Sequence, residues 1–547
     1  MYFIKNKNHN FNNYFKENLL AFILLFLGTF HLFLQIKFGA NNFGDLRDGR
    51  FSNFVLEHFY RALNGEEKSF KNANFFYPAP NVIMLSDNHW FLGFIYVFFR
   101  NLGFNSSNSY NFWIFCGFFA NFITSYYVLK KFNFSKNSSA IGAYLFTFNQ
   151  IILQKIGHPQ LNFKIFIPLT LLYSKQYFET LDFRYISYII LCIILQLFCS
   201  SYNGNFLTLF VLIFFLIYLS KFKKDDFHKI FPQKFSAKIS IPILILSFFL
   251  LALYAFPYLE TRDFYNFKDP LTDGEYFQLK SLLTIRNSPF WNFITNYFSL
   301  KSLEKYGENQ FFLGIGLWLA IFALFLKKNI SKNLQYFDKT LIKSILIMLL
   351  FFWLNKYVGT FNFLQFAFPN FTALRASTRF FYVIFFAIVY LATFSINFLE
   401  KTNNKKLYYA IIAIILIESQ ISMISNSNFL ETENEIQEYK KLILQNGNKN
   451  SVFFFVPNIK KPPKSFIENE INIMIASRDS NAKTINGYTG IIPLNKKIYT
   501  RNCEEIAKII EYNEDLISKN LKTKFRYDRK NLLIFFDKKL CQKLILN

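Results

Sequence analysis

The chain has 547 residues, of which 52% are hydrophobic and only 18% charged, and phenylalanine alone occupies 77 positions. A soluble protein of this size could not bury so much apolar side chain, whereas repeated runs of about 20 apolar residues are typical of membrane-spanning helices. The net charge of +26 therefore fits basic cytoplasmic loops better than nucleic-acid binding, for which the sequence carries no motif.

The apolar runs predict eleven membrane-spanning helices, with the N-terminus in the cytoplasm. The first covers residues 18–38, follows three lysines, and is too long for a cleaved signal peptide. The other ten are predicted at 109–129, 138–155, 163–179, 184–201, 203–221, 239–259, 311–326, 340–358, 376–398 and 405–424. In this arrangement the lysine-rich loops 221–238, 327–343 and 399–406 all face the cytoplasm, as the positive-inside rule requires.

Residues 90–104 are apolar but too short for a clear span. If they crossed the membrane, every later basic loop would face outward, so we interpret them as a helix lying in the membrane interface. This leaves two long loops, 40–108 and 260–310, outside the cytoplasm.

Residues 1–424 are thus predicted to form a transmembrane domain, and residues 425–547 a small extracytoplasmic α/β domain. Within the second, SVFFFVP at 451–457 predicts a buried strand, 503–518 a helix, and 524–539 a strand pair. Cys503 and Cys541 would share an oxidising compartment there, where they either form a disulfide or remain two free thiols.

Polar clusters recur at the outer ends of the predicted spans, and topology alone places them on one face of the membrane. Ionisable groups near a membrane are costly, which favours a functional interpretation. Plainer interpretations exist: Asp45 as a helix cap, His158 as a hydrogen-bond partner of a helix end, Arg379 extending to lipid headgroups, and Glu57 with His58 on a solvated helix face. The clusters contain Asp45, Asp48, Asp87, His89, His158, Gln160, Glu308, Arg375 and Arg379.

This set of side chains suits transfer of a sugar from a polyprenyl-phosphate carrier. The phosphate is already a good leaving group, so the reaction needs one carboxylate as the base for the acceptor and cations for the phosphate. We predict Asp45 as the base, Arg375 and Arg379 as the phosphate ligands, and His89 and His158 as groups that orient phosphate or sugar hydroxyls.

Several motifs give the chain a resemblance to a known superfamily. They are GDLRDGRFSN at 44–53 with LEH at 56–58, FFYPAP at 75–80, SDNH at 86–89, GHPQ at 157–160, ENQFFLG at 308–314, LRASTRF at 374–380 and NGYTG at 486–490. In their order and spacing they resemble the GT-C superfamily of integral-membrane glycosyltransferases, closest to a bacterial group with a GDxxDxRF…LEH motif. The WWD-type motif of oligosaccharyltransferases is absent from the sequence.

The resemblance implies a GT-C-like fold and an inverting glycosyltransferase in the cell (inner) membrane. It places the catalytic carboxylate in the first outer loop, at Asp45 with Asp48, and adds Arg50 of the motif to the predicted substrate-binding residues. The expected partners are a polyprenyl-phosphate sugar, membrane lipids and an extracytoplasmic glycan, lipid or protein acceptor, and no nucleic acid. The sequence leaves open whether a divalent metal takes part. Two alternatives stay open: a transporter or flippase for a lipid-linked glycan, and a non-catalytic envelope scaffold of the same fold.

Overall fold

A computed structural model of the protein describes residues 15–221, 234–265, 276–284, 297, 310–368, 371–372, 374–402, 404–448, 450–457, 463, 465–493, 503–521 and 524–541. The described part is mostly helical. Up to residue 421 it contains a two-residue strand β1 (Asn42–Phe43) and sixteen helices: α1 Leu19–Gln35, α2 Asp48–Leu63, α3 Trp90–Asn101, α4 Ser106–Lys131, α5 Lys136–Phe148, α6 Gln150–Gln154, α7 Phe166–Thr180, α8 Phe183–Cys199, α9 Ser201–Leu219, α10 Ala237–Tyr265, α11 Ile315–Leu326, α12 Lys328–Ser331, α13 Tyr336–Val358, α14 Thr360–Ala367, α15 Phe381–Lys401 and α16 Lys405–Ile421.

Short 3₁₀ helices connect several of these elements, at Lys37–Gly39, Val82–Leu85, Pro159–Asn162, Leu279–Leu283 and Ser377–Phe380. Three of them, at Val82–Leu85, Pro159–Asn162 and Ser377–Phe380, stand next to the polar motifs of the sequence. Such tight turns are common where a chain leaves one helix and enters the next.

Each predicted span coincides with a helix or with two consecutive helical segments. By length and composition, five helical segments within the described residues can cross a membrane: Ser106–Lys131, Ser201–Leu219, Ala237–Tyr265, Tyr336–Val358 and Ser377–Lys401. They indicate a membrane protein. Other apolar helices are shorter, such as α1 with 17 residues, so the number of eleven spans and their orientation stay predictions.

The centre of the helical bundle is α15, which is buried along nearly its whole length. It packs against α5 and α11, and α5 in turn lies between α15 and α4. Gly142 of α5 faces Thr393 of α15 so closely that any side chain at position 142 would overlap it. Helices approach this closely where a small residue lies at the crossing, as membrane helix pairs commonly do.

The last part of the chain forms a four-stranded sheet with three helices. Its elements are β2 Asn426–Ser427, a 3₁₀ helix Phe429–Thr432, α17 Glu433–Asn446, β3 Val452–Val456, α18 Phe466–Asp479, β4 Lys483–Thr484, α19 Cys503–Leu521, β5 Leu532–Phe536 and β6 Lys539–Leu540. The sheet order is β4-β3-β5-β6, with β3 parallel to β4 and β5, and β6 antiparallel to β5. The strand predicted at 451–457 is present as β3, and the predicted strand pair is β5 with β6.

The two faces of β3 contact different parts of the protein, because side chains alternate along a strand. Phe453 and Phe455 pack in a cluster with α17 and α18. Phe454 points the other way, into a cluster that includes Phe51 and Phe54 of α2. Helix α2 belongs to the loop 40–108, which the sequence predicts to be the first outer loop. The C-terminal sheet and the outer loop therefore share a hydrophobic core.

Backbone hydrogen bonds reinforce this contact. β1, directly after α1, pairs with β2 in antiparallel orientation. Thr484 of β4 donates its N–H to the carbonyl of Asn74, and Phe76 and Tyr77 donate to the carbonyls of Asn486 and Thr484, at 2.8–2.9 Å. Residues 74–77 thus occupy the free edge of β4.

One cysteine prediction concerns this region. Cys541 is disulfide-bonded, while the side chain of its predicted partner Cys503 lies outside the described residues. The pairing stays a prediction. Cys116, Cys192 and Cys199 are free thiols.

Candidate functional site

A cavity of about 140 Å³ lies where the first outer loop, three helix ends and the C-terminal domain meet. Its floor and walls come from α2, the segment 84–89, the turn before Pro159–Asn162, the start of α9, the end of α10, the segment before α15 and the segment after β4. The lining residues are Asp48, Phe51, Ser52, Met84, Leu85, Ser86, Asp87, His89, His158, Gln160, Ser201, Tyr202, Tyr258, Leu374, Arg375, Arg379, Tyr488, Gly490 and Ile491. The cavity therefore brings together seven of the ten predicted site residues.

Asp48 lies in the first turn of α2, with each carboxylate oxygen facing a different neighbour. The Tyr488 hydroxyl donates to Oδ1 at 2.7 Å, and His158 Nδ1 lies 3.6 Å from Oδ2. Burial and the neighbouring Asp48 carboxylate raise the pKa of the Tyr488 phenol, so it stays protonated and remains a donor. In this contact Tyr488 is the donor and Asp48 the acceptor.

Two arginines from the LRASTRF motif lie in the same cavity. Nη2 of Arg379 lies 3.1 Å from Nε2 of His158, and its guanidinium carbon stacks 4.4 Å from the centre of the Tyr202 ring. The Tyr202 hydroxyl accepts the backbone N–H of Arg375 at 3.1 Å, which fixes the turn that carries both arginines. Stacking on the Tyr202 ring holds the plane of the guanidinium, a planar group whose fork of N–H donors matches phosphate oxygens.

The opposite part of the cavity contains Asp87 and His89. Asp87 Oδ1 accepts the backbone N–H and the hydroxyl of Ser201 at the start of α9, at 3.2 and 2.6 Å. His89 is 4% exposed, and burial lowers its pKa to about 4, against the opposing influence of Asp87. His89 is therefore neutral at physiological pH, and it offers a hydrogen bond rather than a positive charge.

The predicted base Asp45 does not line the cavity. Its Oδ1 accepts the backbone N–H groups of Arg47 and Gly49 at the start of α2, both at 3.2 Å. A carboxylate in this position satisfies N–H groups that the first turn of a helix leaves open. Asp45 thus has the contacts of a helix cap, while Asp48, three residues later, faces the cavity.

Arg50 is also turned away from the cavity. It is 2% exposed, and burial lowers its pKa to about 10, with Glu468 and Glu435 of the C-terminal domain as the main opposing charges. Its guanidinium faces the C-terminal domain instead of a substrate. Glu308, the remaining predicted ligand, lies outside the described residues.

Glu57 and His58, interpreted above as a solvated helix face, are buried at 7% and 1% exposure. Glu57 accepts two hydrogen bonds from Arg100 of α3, at 2.9 and 3.0 Å. Nε2 of His58 bonds to the carbonyl of Ser69 at 2.9 Å. The charged residues of α2 suggested that this side of the helix is exposed to solvent. In the structure it is covered by α3 and by the loop that follows α2.

The sequence did not single out the tyrosines of the site. Tyr488 belongs to the NGYTG motif, which marked this region of the sequence. The motif did not indicate that the Tyr488 side chain contacts Asp48, which lies 440 residues earlier in the chain. Tyr202 and Tyr258 are two of 32 tyrosines and stand in helices with no distinguishing motif. Only their positions in the folded chain mark them.

Within the described residues, no group of three or more His, Cys, Asp or Glu side chains is arranged to hold a metal ion. Asp48 and His158 make a pair, and Asp87 with His89 another. Neither pair has a third such ligand among the described residues.

Polar groups inside the helical bundle bear on the transporter alternative. Glu418 accepts the N–H groups of Ile315 and Gly316 at the start of α11. Gln196 bonds to the backbone of Phe163 and Phe166. These groups satisfy helix ends, which is a structural use for polar residues in a membrane.

Comparison with known proteins adds a family and a distant structural likeness. A family model described as "Domain of unknown function (DUF6311)" matches residues 20–420. No curated protein matches the chain. A solved structure similar to this chain is the apo form of the oligosaccharyltransferase of Archaeoglobus fulgidus, with 12% sequence identity and a TM-score of 0.44, covering 88% of this chain and 65% of the archaeal one. The chain thus spans just under two thirds of that protein.

Proposed function

The chain belongs to the DUF6311 family, and we propose that it is a GT-C-like membrane glycosyltransferase using a polyprenyl-phosphate sugar as donor. The observation that carries the proposal is a cavity lined by both Asp48 and Arg379, with the imidazole ring of His158 between them. A carboxylate that can act as base and an arginine that can bind phosphate, both lining one cavity, are the two groups that transfer from a lipid phosphate requires. The resemblance of the sequence motifs to GT-C glycosyltransferases supports the same conclusion.

In the proposed reaction the acceptor hydroxyl or amine attacks the anomeric carbon of the sugar. Asp48 takes the acceptor proton, and the bond between the anomeric carbon and the phosphate oxygen breaks. The phosphate leaves with one more negative charge, which Arg375 and Arg379 stabilise. Neutral His89 and the amide of Gln160 bind sugar hydroxyls. Attack opposite the leaving phosphate inverts the configuration.

The proposed site requires the donor to bind through its phosphate. We expect Arg375→Ala and Arg379→Ala each to weaken binding of decaprenyl phosphate to the detergent-purified protein by about tenfold or more, since a hydrogen bond to a charged group contributes roughly 1.5–3 kcal/mol. Decaprenol, which lacks the phosphate, should bind the same to all variants. The matched control is Arg184→Ala, which removes an arginine paired with Asp182 at the start of α8. Equal binding of decaprenyl phosphate to the unmodified protein and all three variants would contradict the assignment of Arg375 and Arg379 as phosphate ligands.

A further inference from the structure

Asp48, His158 and Arg379 form a continuous chain of side chains across the cavity. His158 lies in the middle, with Nδ1 3.6 Å from Asp48 Oδ2 and Nε2 3.1 Å from Arg379 Nη2. The three residues come from α2, from the turn before Pro159–Asn162 and from the turn before α15. Only the folded chain brings them into line.

The contact with Arg379 determines which nitrogen of His158 carries the proton. A guanidinium can only donate hydrogen bonds, so Nε2 must present its lone pair to Arg379. The proton of the neutral ring then sits on Nδ1, the nitrogen that faces Asp48. A carboxylate accepts from that N–H, and approach by about half an ångström makes the contact an ordinary hydrogen bond. Such contacts in a substrate-free site commonly shorten when the substrate binds.

We propose that His158 is a positioning residue through which the phosphate-binding Arg379 fixes the orientation of Asp48. The proposal deepens the function proposed above and rests on it. Tyr488 donates to one carboxylate oxygen of Asp48, and His158 Nδ1 faces the other at 3.6 Å, where it would hold that oxygen once the contact shortens. Asp48 lines the cavity, where the acceptor would approach. An arginine that binds the donor phosphate thereby also holds the base in place.

The tautomer can be measured without any substrate. We would label the six histidines with ¹⁵N, purify the full chain in detergent and assign the His158 signals by their loss in His158→Asn. At pH 7.5 the expected species is the neutral ring protonated on Nδ1. In Arg379→Met, where Nε2 loses its donor, the population of the Nε2–H form should rise. Arg184→Met is the control and should change nothing.

A predominant Nε2–H form in the unmodified protein, or an Nδ1–H population unaffected by Arg379→Met, would overturn the proposal. Because this measurement needs no sugar-donor substrate, it determines the tautomer of His158 even if glycosyl transfer is never detected. Failure of the proposed function would appear separately, as phosphate-lipid binding that does not depend on the two arginines.

Two substitutions then distinguish the roles of Nδ1 and Nε2 of His158. The assay measures sugar transfer from a polyprenyl-phosphate-linked radiolabelled hexose. In His158→Asn the amide nitrogen replaces Nδ1 and keeps a donor for Asp48, whereas in His158→Gln it replaces Nε2. We expect His158→Gln to lose at least tenfold more kcat than His158→Asn. The acidic limb of its kcat/KM profile should also move to higher pH, because a carboxylate that loses a donor becomes more basic. Equal loss in both variants with unchanged pH profiles would indicate a purely structural role and contradict the proposal.

Discussion

At the scale of single residues, two aspartates three positions apart have different environments. Asp45 accepts two backbone N–H groups at the start of α2, and Asp48 faces the cavity with Tyr488 and His158. The motif contains both carboxylates, and a sequence motif does not say which one turns inward. The position at which α2 begins decides which carboxylate faces the cavity. A residue just before the helix can accept the open N–H groups of its first turn, whereas a side chain within that turn projects from the side of the helix.

This difference predicts opposite results for the two positions. Asp48→Asn should abolish sugar transfer with little change in the midpoint temperature of unfolding, since an amide still accepts from Tyr488. Asp45→Ala should retain transfer but lower the free energy of unfolding by about 1 kcal/mol, as loss of a helix cap typically does. Sugar transfer is measured in membranes that contain each variant, and stability is measured by thermal unfolding of the purified variants. Full activity in Asp48→Asn together with loss of activity in a folded Asp45→Ala protein would return the role of base to Asp45.

A second prediction at this scale concerns pH. Burial lowers the pKa of His58 to about 4, against about 6.5 in an unfolded chain. The folded protein therefore binds fewer protons than the unfolded one between these values, and its stability falls as the pH drops from 6.5 to 4. In His58→Gln, which keeps a donor for the Ser69 carbonyl, the pH dependence should be shallower by up to about 1.4 kcal/mol per pH unit. Unfolding of both proteins from pH 4.5 to 7.5 tests this, and identical slopes would show that His58 is exposed or charged.

At the scale of elements, α2 connects the parts that build the site. One side carries Phe51 and Phe54 into the core shared with the C-terminal sheet, and its first turn carries Asp48 into the cavity. Another side carries Glu57, whose carboxylate binds Arg100 of the predicted interfacial helix α3 through two hydrogen bonds. The position of α2 thus depends on both the C-terminal domain and α3.

Breaking the Glu57 contact should loosen this arrangement. Glu57→Gln removes the charge of a buried carboxylate and leaves the partly exposed Arg100 guanidinium without its counter-charge, and we expect a loss of about 1–3 kcal/mol in the free energy of unfolding. The control is Glu66→Gln, which removes an exposed partner of Arg61 and should cost less than about 1 kcal/mol. The midpoints of thermal unfolding compare the two variants. Equal small effects would mean that α3 is held by its apolar contacts alone.

At the scale of the whole molecule, the outer loop and the C-terminal domain form one structural unit. They share a core, residues 74–77 pair with the edge of β4, and β1 pairs with β2. Both must therefore lie on the same side of the membrane. The basic loops of the sequence predict that this side is extracytoplasmic.

Fusions of alkaline phosphatase, which is active only outside the cytoplasm, test that orientation. A fusion after residue 446 should be active, and one after residue 224 should be inactive, because the second lies in a lysine-rich loop predicted to be cytoplasmic. A fusion after residue 68, in the first outer loop, is the matched control for the shared unit and should behave like the one after 446. The reverse pattern would invert the topology and place the cavity on the cytoplasmic side.

The sequence alone located the apolar helices and marked the motifs whose polar side chains meet in the cavity. A run of apolar residues long enough to cross a membrane forms a helix almost regardless of its neighbours, since backbone groups in lipid must be satisfied within the segment. Grouping by side of the membrane then brought Asp48, Asp87, His89, His158, Gln160, Arg375 and Arg379 together, and all seven line one cavity.

Only the tertiary structure decided which side chains face that cavity. It directed Asp48 inward instead of Asp45, and turned Arg50 towards the C-terminal domain. It also brought Tyr488 to Asp48 across 440 residues. These outcomes depend on the pairing of residues 74–77 with the edge of β4 and on the packing of α2 against β3. No local pattern encodes such contacts, because each arises from the fit between segments that are distant in the chain.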